Sequence, residues 1–355
     1  MTLPPQPPFS EPRVSVQTTG ANGTAGPTPD ELRRAASLAD RLRSRFSRTL
    51  VGQTDLREAL IITLAAGGHI LIESVPGLAK TTAAQTLATS VSGTFRRVQC
   101  TPDLMPSDLV GTQIFDFASQ RFVTRTGPIH ANIVLLDEIN RSNAKTQSAM
   151  LEAMAEGATT IGGERIALPS PFMVIATENP IEEEGTFPLP EAQMDRFMMK
   201  TVMTYPTPDE ERRMLTMLSE RPSDSVDPAS LGQDTVSLDE VGFLRESTRR
   251  IHVSDAIADY AVGIVWTTRG GGPHPVKGLS DRVRLGASPR ASIALVRTAQ
   301  ATALLSGRDY VIPEDVRRFA HDVLRHRILL TFEALADGVR ADDVIDDVIE
   351  AVPVP

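Results

Sequence analysis

Residues 69–82 read His69-Ile70-Leu71-Ile72-Glu73-Ser74-Val75-Pro76-Gly77-Leu78-Ala79-Lys80-Thr81-Thr82. The first five form a short apolar strand, the next few a proline-glycine loop, and a helical pattern begins at the lysine. Such a loop can cradle phosphate, because its backbone N–H groups point inward at the positive end of the following helix. Lys80 is the residue type that reaches β- and γ-phosphates, and the Thr81 hydroxyl suits Mg²⁺. The strict phosphate-loop pattern would place glycine at Ser74 and at Ala79. The plain alternative is a strand-to-helix turn with Lys80 on the surface.

Moving outward, Ile133-Val134-Leu135-Leu136-Asp137-Glu138 is a second apolar strand that ends in two acids. Asp137 at a strand tip suits a hydrated Mg²⁺, and Glu138, pointing the other way, suits orienting and deprotonating a water. Both stand where open α/β sheets bind ligands, at the carboxyl ends of strands. A third apolar strand, Phe172 to Ala176, runs into Thr177-Glu178-Asn179-Pro180. An amide at Asn179 can hydrogen-bond the attacking water or the γ-phosphate, although Asn-Pro is also an ordinary turn signal. Continuous apolar runs alternating with helical stretches predict an α/β fold with a parallel sheet buried on both faces. Two hairpins are expected between the strands, from Gln113 to Thr126 and from Thr159 to Leu168, the second turning at Gly162-Gly163.

Residues 1–27 are rich in Pro, Gly, Ser and Thr and predict a disordered tail. Order begins at Thr28-Pro29-Asp30-Glu31, a capping-box signature with proline at the first helical position. Leu32, Ala35, Ala36, Ala39, Leu42 and Phe46 follow at helical spacing, and Val51-Gly52-Gln53 breaks that helix before another from about Leu56 to Ala66. After Pro206 and Pro208 the strand signal stops, so a domain boundary is expected there: an α/β nucleotide-binding domain over 28–206 and an α-helical lid over 207–355. Loops are expected near 221–235 and at the glycine-rich stretch 270–280. The alternation of acids with Val344, Ile345, Val348 and Ile349 predicts a closing amphipathic helix.

The 355 residues carry a net charge of −9, which argues against a dedicated nucleic-acid-wrapping surface. The single cysteine, Cys100, allows no internal disulfide, so a cytoplasmic setting is expected. No apolar run is long enough for a membrane span. The histidines show no metal-ligand spacing. Glu182-Glu183-Glu184 reads as a solvated loop, and Met194, Met198, Met199 and Met203 as core filling.

At this level of detail the chain resembles the MoxR group of AAA+ ATPases, a helix-2-insert clade, from about Val51 to Phe319. The stretches that carry the resemblance are Leu135-Leu136-Asp137-Glu138-Ile139-Asn140-Arg141, Ala144-Lys145-Thr146-Gln147-Ser148, Leu151-Glu152-Ala153-Met154 and Pro188 to Phe197. Thr101 to Asp108 and Gly286-Ala287-Ser288-Pro289-Arg290-Ala291 add to it. Ala79 is usual for this group, whereas Ser74 departs from its usual glycine.

The resemblance implies an ATP- and Mg²⁺-dependent ATP hydrolase with nucleotide held by residues 74–82 and with Val51, Gly52 and Gln53 beside the adenine. It further implies Asn179 as the sensor of the γ-phosphate and Arg290 as an arginine acting in cis from the lid. Arg196 would be the finger reaching a neighbouring subunit's site; the plain alternative is an ion pair with Asp195 or Glu191. Arg141 is a second candidate for action in trans. The hairpins would face the axis of a homo-oligomeric ring, a hexamer, acting as a chaperone on client proteins with partners that carry a von Willebrand factor A domain. Two rival readings are a nucleic-acid motor, kept open by Arg121 and Arg125, and a non-hydrolysing nucleotide-gated scaffold, suggested by Ser74.

Overall fold

The computed structural model describes residues 26–50, 52–75, 78, 80–180, 186–220 and 235–355. The expected tail up to residue 25, the acidic run at 182–184 and the loop at 221–234 lie outside the described residues, as do Val51, Pro76, Gly77 and Ala79. No helix among the described residues is long and apolar enough to cross a membrane.

Helix α1 (Pro29–Thr49) starts as its sequence requires: the Thr28 hydroxyl accepts the Glu31 N–H, and the Glu31 carboxylate accepts the Thr28 N–H. Its inner stripe, Leu38, Leu42 and Phe46, is buried, so Phe46→Ala would cost about 3–5 kcal/mol. Helix α2 (Thr54–Ala66) is apolar around most of its circumference and is correspondingly sunk in the core.

The chain then alternates through β1 (Ile70–Ser74), α3 (Lys80–Ser90), β2 (Phe95–Gln99), α4 (Pro106–Val110), β3 (Gly111–Asp116) and β4 (Arg121–Thr126). It continues through β5 (Ile133–Asp137), α5 (Ala144–Glu156), β6 (Ala158–Ile161), β7 (Glu164–Ala167), β8 (Met173–Glu178), α6 (Glu191–Met194) and β9 (Met199–Met203). Five strands form one parallel sheet in the order β2-β5-β8-β1-β9. The three strands expected from apolar runs are its three central ones. The two unanticipated strands, β2 and β9, are its edges, where polar residues such as Arg96, Arg97 and Lys200 interrupt any continuous apolar run.

One face of the sheet, including Ile70, Ile72, Leu135 and Ile175, joins a large core with α1, α2, α3 and the helices that follow the sheet. The other, with Leu71, Val134, Val174 and Ala176, packs on α5 and Phe197. Met198, Met199 and Met203 are buried, as core filling requires.

Both hairpins form. In β3–β4, Phe115 pairs with Phe122 and Ile114 with Val123, all of them exposed. The β6–β7 turn uses Gly162 and Gly163 at φ +59° and +85°, a conformation that a Cβ would strain. A Cβ on Gly162 would also overlap the Gln113 side chain, so the two hairpins lie against one another.

The remainder is mostly helical: α7 (Pro208–Glu220), α8 (Leu238–Arg250), α9 (Asp255–Thr267), α10 (Leu279–Arg282), α11 (Pro289–Leu305), α12 (Pro313–Arg318), α13 (Ala320–Leu324), α14 (Phe332–Ala336) and α15 (Ala341–Ala351). A small antiparallel pair, β10 (Val283–Leu285) with β11 (Leu329–Leu330), was not legible in the sequence because its residues are too few to show alternation. Helix α11 packs on α1, α2, α8 and α9, and this holds the helical part onto the sheet part. Helix α15 buries Val344, Ile345 and Val348, as its amphipathic pattern predicts.

Candidate functional site

Because all five strands are parallel, the ends of β1, β5 and β8 converge at one edge of the sheet. Lys80 opens α3 there, and its Nζ donates to the Ser74 carbonyl at 3.2 Å. Ser74 itself is buried, and its hydroxyl donates to the Val75 carbonyl at 2.8 Å. It is absent from the positive-φ residues, so its Cβ imposes no backbone strain where the phosphate-loop pattern prefers glycine. Leu78 is buried in the core, and Thr82 continues α3, its carbonyl accepting from the Thr86 hydroxyl at 2.7 Å.

Asp137 is almost wholly enclosed, and both of its carboxylate oxygens accept hydrogen bonds. Its Oδ1 accepts the Thr177 hydroxyl at 2.9 Å. Its Oδ2 accepts Arg97 through Nε at 3.1 Å and a terminal nitrogen at 2.6 Å, and lies 3.5 Å from the Thr81 hydroxyl. Asp137 and Thr81 therefore bring two hard oxygen donors together from two elements, a donor set that fits Mg²⁺. Glu138 takes φ +58°, an uncommon conformation for a side-chain-bearing residue, which turns its carboxylate away from that of Asp137. There it meets Arg141 at 3.0 Å and Gln99 at 3.3 Å. Arg141 thus contacts the acid of its own chain. Asn179 follows directly on β8 and is buried, and its carbonyl accepts from Asn140 at 3.4 Å.

Gly52 and Gln53 also lie at this edge. Both have positive φ, and Gln53 Nε2 donates to the Thr204 carbonyl just beyond β9 at 3.1 Å. Beneath the site, Lys200 bridges Glu73 at 2.6 Å and Glu178 at 2.5 Å across β9, β1 and β8. Burial pushes the Glu178 carboxyl up, and the two acids hold the Lys200 ammonium above its ordinary range.

Arg196 and Arg290 are elsewhere. They line a cleft of about 360 Å³ together with His69, Asp195, Arg297 and Arg327. Arg290 stands 3.7 Å from Asp195, which also accepts the Ser288 hydroxyl and the nearly inaccessible Arg327 guanidinium at 2.8 Å. Arg196 makes none of the ion pairs found among the described residues, and its Nε is buried without a hydrogen-bond partner. Glu191, the other proposed partner, pairs instead with Arg284.

The register sets Met199 beside Ile70 and Met203 beside Ser74, so this cleft is at the far end of β1 from Lys80. Four strand steps, about 13 Å, separate the two ends. Helix α11 begins on the Arg196 side, and the five residues of β1 lie between Arg290 and the Lys80 end of the sheet in this structure.

Arg97, Gln99 and Thr177 escaped the sequence reading. Thr177 was visible as a polar residue two positions before Asn179. Arg97 and Gln99 alternate along β2, and only the pairing of Gln99 with Asp137 reveals what they face.

A parallel sheet with a lysine opening the helix after β1, paired acids at the tip of β5 and a helical lid defines an AAA+ ATPase fold. Residues 69–199 match the ATPase family associated with various cellular activities, and residues 279–348 match the AAA lid domain. The chain is 45% identical to Chaperone MoxR1 of Mycobacterium tuberculosis, over 87% of this chain and 80% of that protein. It is 31% identical to Protein MoxR of Methylorubrum extorquens, over 89% and 95%. A crystal structure of a candidate ATPase from Cytophaga hutchinsonii superposes with a TM-score of 0.84 at 39% identity, over 92% of this chain and 97% of that one. The chain belongs to the MoxR family of AAA+ ATPases.

Proposed function

We propose that this protein is a Mg²⁺-dependent ATP hydrolase that assembles into a homo-oligomeric ring, a hexamer, and uses nucleotide-driven motion between an α/β domain (28–206) and a helical lid (207–355) to remodel client proteins. The observation that carries this reading is the separation of two clusters. Phosphate-binding and acidic groups gather at one end of β1, and Arg196 and Arg290 at the other. In this arrangement Arg196 and Arg290 lie at the end of β1 away from Lys80, which supports a ring in which each arginine pair serves the next chain's nucleotide.

In that reading residues 74–82 cradle the phosphates, with Lys80 on the β- and γ-oxygens and Val51, Gly52 and Gln53 beside the adenine. Thr81 and Asp137 hold Mg²⁺, which supplies positive charge to the β- and γ-phosphate oxygens when bound. Glu138 takes the proton of the attacking water, and Asn179 hydrogen-bonds that water or the γ-phosphate. Arg196 and Arg290, from the neighbour, stabilise the charge that develops on the transferred group.

Client contact is supported by the β3–β4 hairpin, where Phe115 packs edge-on against both Phe117 and Phe122 at 5.3 Å although all three are exposed. Exposed aromatic clusters of this kind mark contact with another macromolecule. Apolar rings favour a protein client over the nucleic-acid reading that Arg121 and Arg125 leave open. The names of the relatives support the chaperone role, and partners with a von Willebrand factor A domain come from the family resemblance. One buried cysteine, its thiol pushed up to about 12 by burial and by Asp137, suits a cytoplasmic setting.

Mixing variants tests the shared site. Arg196→Ala subunits keep an intact pocket and Glu138→Gln subunits keep an intact finger, so each alone should be nearly inactive while their mixture regains ATPase activity. Glu138→Gln mixed with Lys80→Ala should stay silent. No recovery despite demonstrated subunit exchange rules out Arg196 as the finger.

A further inference from the structure

We propose that Arg97 is a tethered cation that competes with the divalent cation for Asp137 Oδ2 and thereby sets how much Mg²⁺ the nucleotide site requires. This rests on the reading of Asp137 and Thr81 as the Mg²⁺ donors.

The geometry is specific. Two nitrogens of one guanidinium converge on a single oxygen, Nε at 3.1 Å and a terminal nitrogen at 2.6 Å. The usual two-on-two fork is not adopted: Thr177 donates to Oδ1, and both Arg97 nitrogens meet Oδ2. Arg97 thereby meets the oxygen that faces the Thr81 hydroxyl, the other residue that would hold the cation. Asp137 is only 8% exposed at its side chain, whereas the Arg97 side chain is 47% exposed. A carboxylate so enclosed needs a cation, since a buried charge without a partner is costly. The arginine, on the edge strand β2 and half in water, can leave at small cost. Strand β2 thus supplies a single positive charge that Mg²⁺, with two, replaces. Gln99 accepts from Arg97 at 3.4 Å and stands between it and Glu138, so the displaced guanidinium has a ready second partner along its own strand.

The experiment titrates Mg²⁺ into full-length protein at fixed ATPγS and follows nucleotide binding, then compares thermal melting in Mg²⁺ and in EDTA. For Arg97→Gln the half-saturating Mg²⁺ concentration is expected to fall by roughly 3- to 30-fold, the range of a partly exposed charge-assisted contact. The melting-temperature gap between Mg²⁺ and EDTA should widen, because the variant loses its substitute cation. Arg97→Lys, with the charge but without the fork, should fall between wild type and Arg97→Gln. An unchanged or raised Mg²⁺ requirement in Arg97→Gln, with wild type still Mg²⁺-dependent, overturns this proposal and leaves the ATPase reading intact. Wild-type nucleotide binding indifferent to Mg²⁺ overturns both.

Discussion

The Thr177 hydroxyl lies 2.9 Å from Asp137 Oδ1 and 2.9 Å from the backbone nitrogen of Glu138, donating to the first and accepting from the second. One side chain on β8 therefore fixes both acids at the tip of β5. It also sits two residues before Asn179, so the acids and the candidate γ-phosphate sensor share a rigid frame. Thr177→Val keeps the shape but strands an enclosed carboxylate oxygen and an N–H. We expect a loss of about 1–3 kcal/mol in urea unfolding, together with reduced ATP turnover. Thr177→Ser should retain most of both. A valine variant as stable and as active as wild type would remove the frame from the account.

Lys80 and Ser74 separate charge from loop shape. Lys80→Ala should weaken ATP binding by about tenfold or more, the equivalent of a charge-assisted contact of ~1.5–3 kcal/mol. Ser74→Gly should leave affinity within about twofold, because the Ser74 hydroxyl bonds the Val75 carbonyl and its backbone needs no positive φ. Calorimetric titration with ATP reads both. A large loss on Ser74→Gly would mean that the hydroxyl itself meets the ligand.

Arg290 should behave as Arg196 does. If both serve the next subunit, Arg290→Ala mixed with Glu138→Gln recovers ATPase activity; an arginine acting in cis gives no recovery. Asp195 organises this cleft by holding Arg327, whose side chain is 2% exposed. Removing one partner of so enclosed a pair typically costs about 3–5 kcal/mol, so Asp195→Ala should melt far below wild type. The stability loss distinguishes it from Arg290→Ala, whose side chain is more than half exposed.

His69 makes stability depend on acid. Burial holds its imidazole down to about 4, well below the usual 6.5, and its Nδ1 accepts the Val174 N–H at 3.0 Å. A folded-state value below the unfolded one means that stability is whole above pH 6.5 and is lost as pH falls toward 4. The full contribution is about 3 kcal/mol. His69→Asn, which can still accept that N–H, should show a shallower decline over this window. Parallel curves for the two proteins would assign the acid lability to other groups.

Local chemistry carried much of this molecule. The capping box at Thr28 and Glu31, the Gly162-Gly163 turn and the amphipathic last helix depend on neighbours along the chain, and each formed where its residues predicted. The central strands were legible because burial on both faces demands continuous apolar runs, and Lys80, Asp137 and Glu138 because strand tips expose chemistry in a fixed order. The edge strands were not, since one-sided cover permits arginine and lysine within them. Nor was the company of Asp137: Arg97 reaches it through strand pairing, across 40 positions that carry no periodic signal. The place of Arg290 was likewise decided only by the packing of α11 on α2, which sets it at the opposite end of β1 from Lys80. Residue type announces what a side chain can do; strand order and helix packing decide which partner it meets.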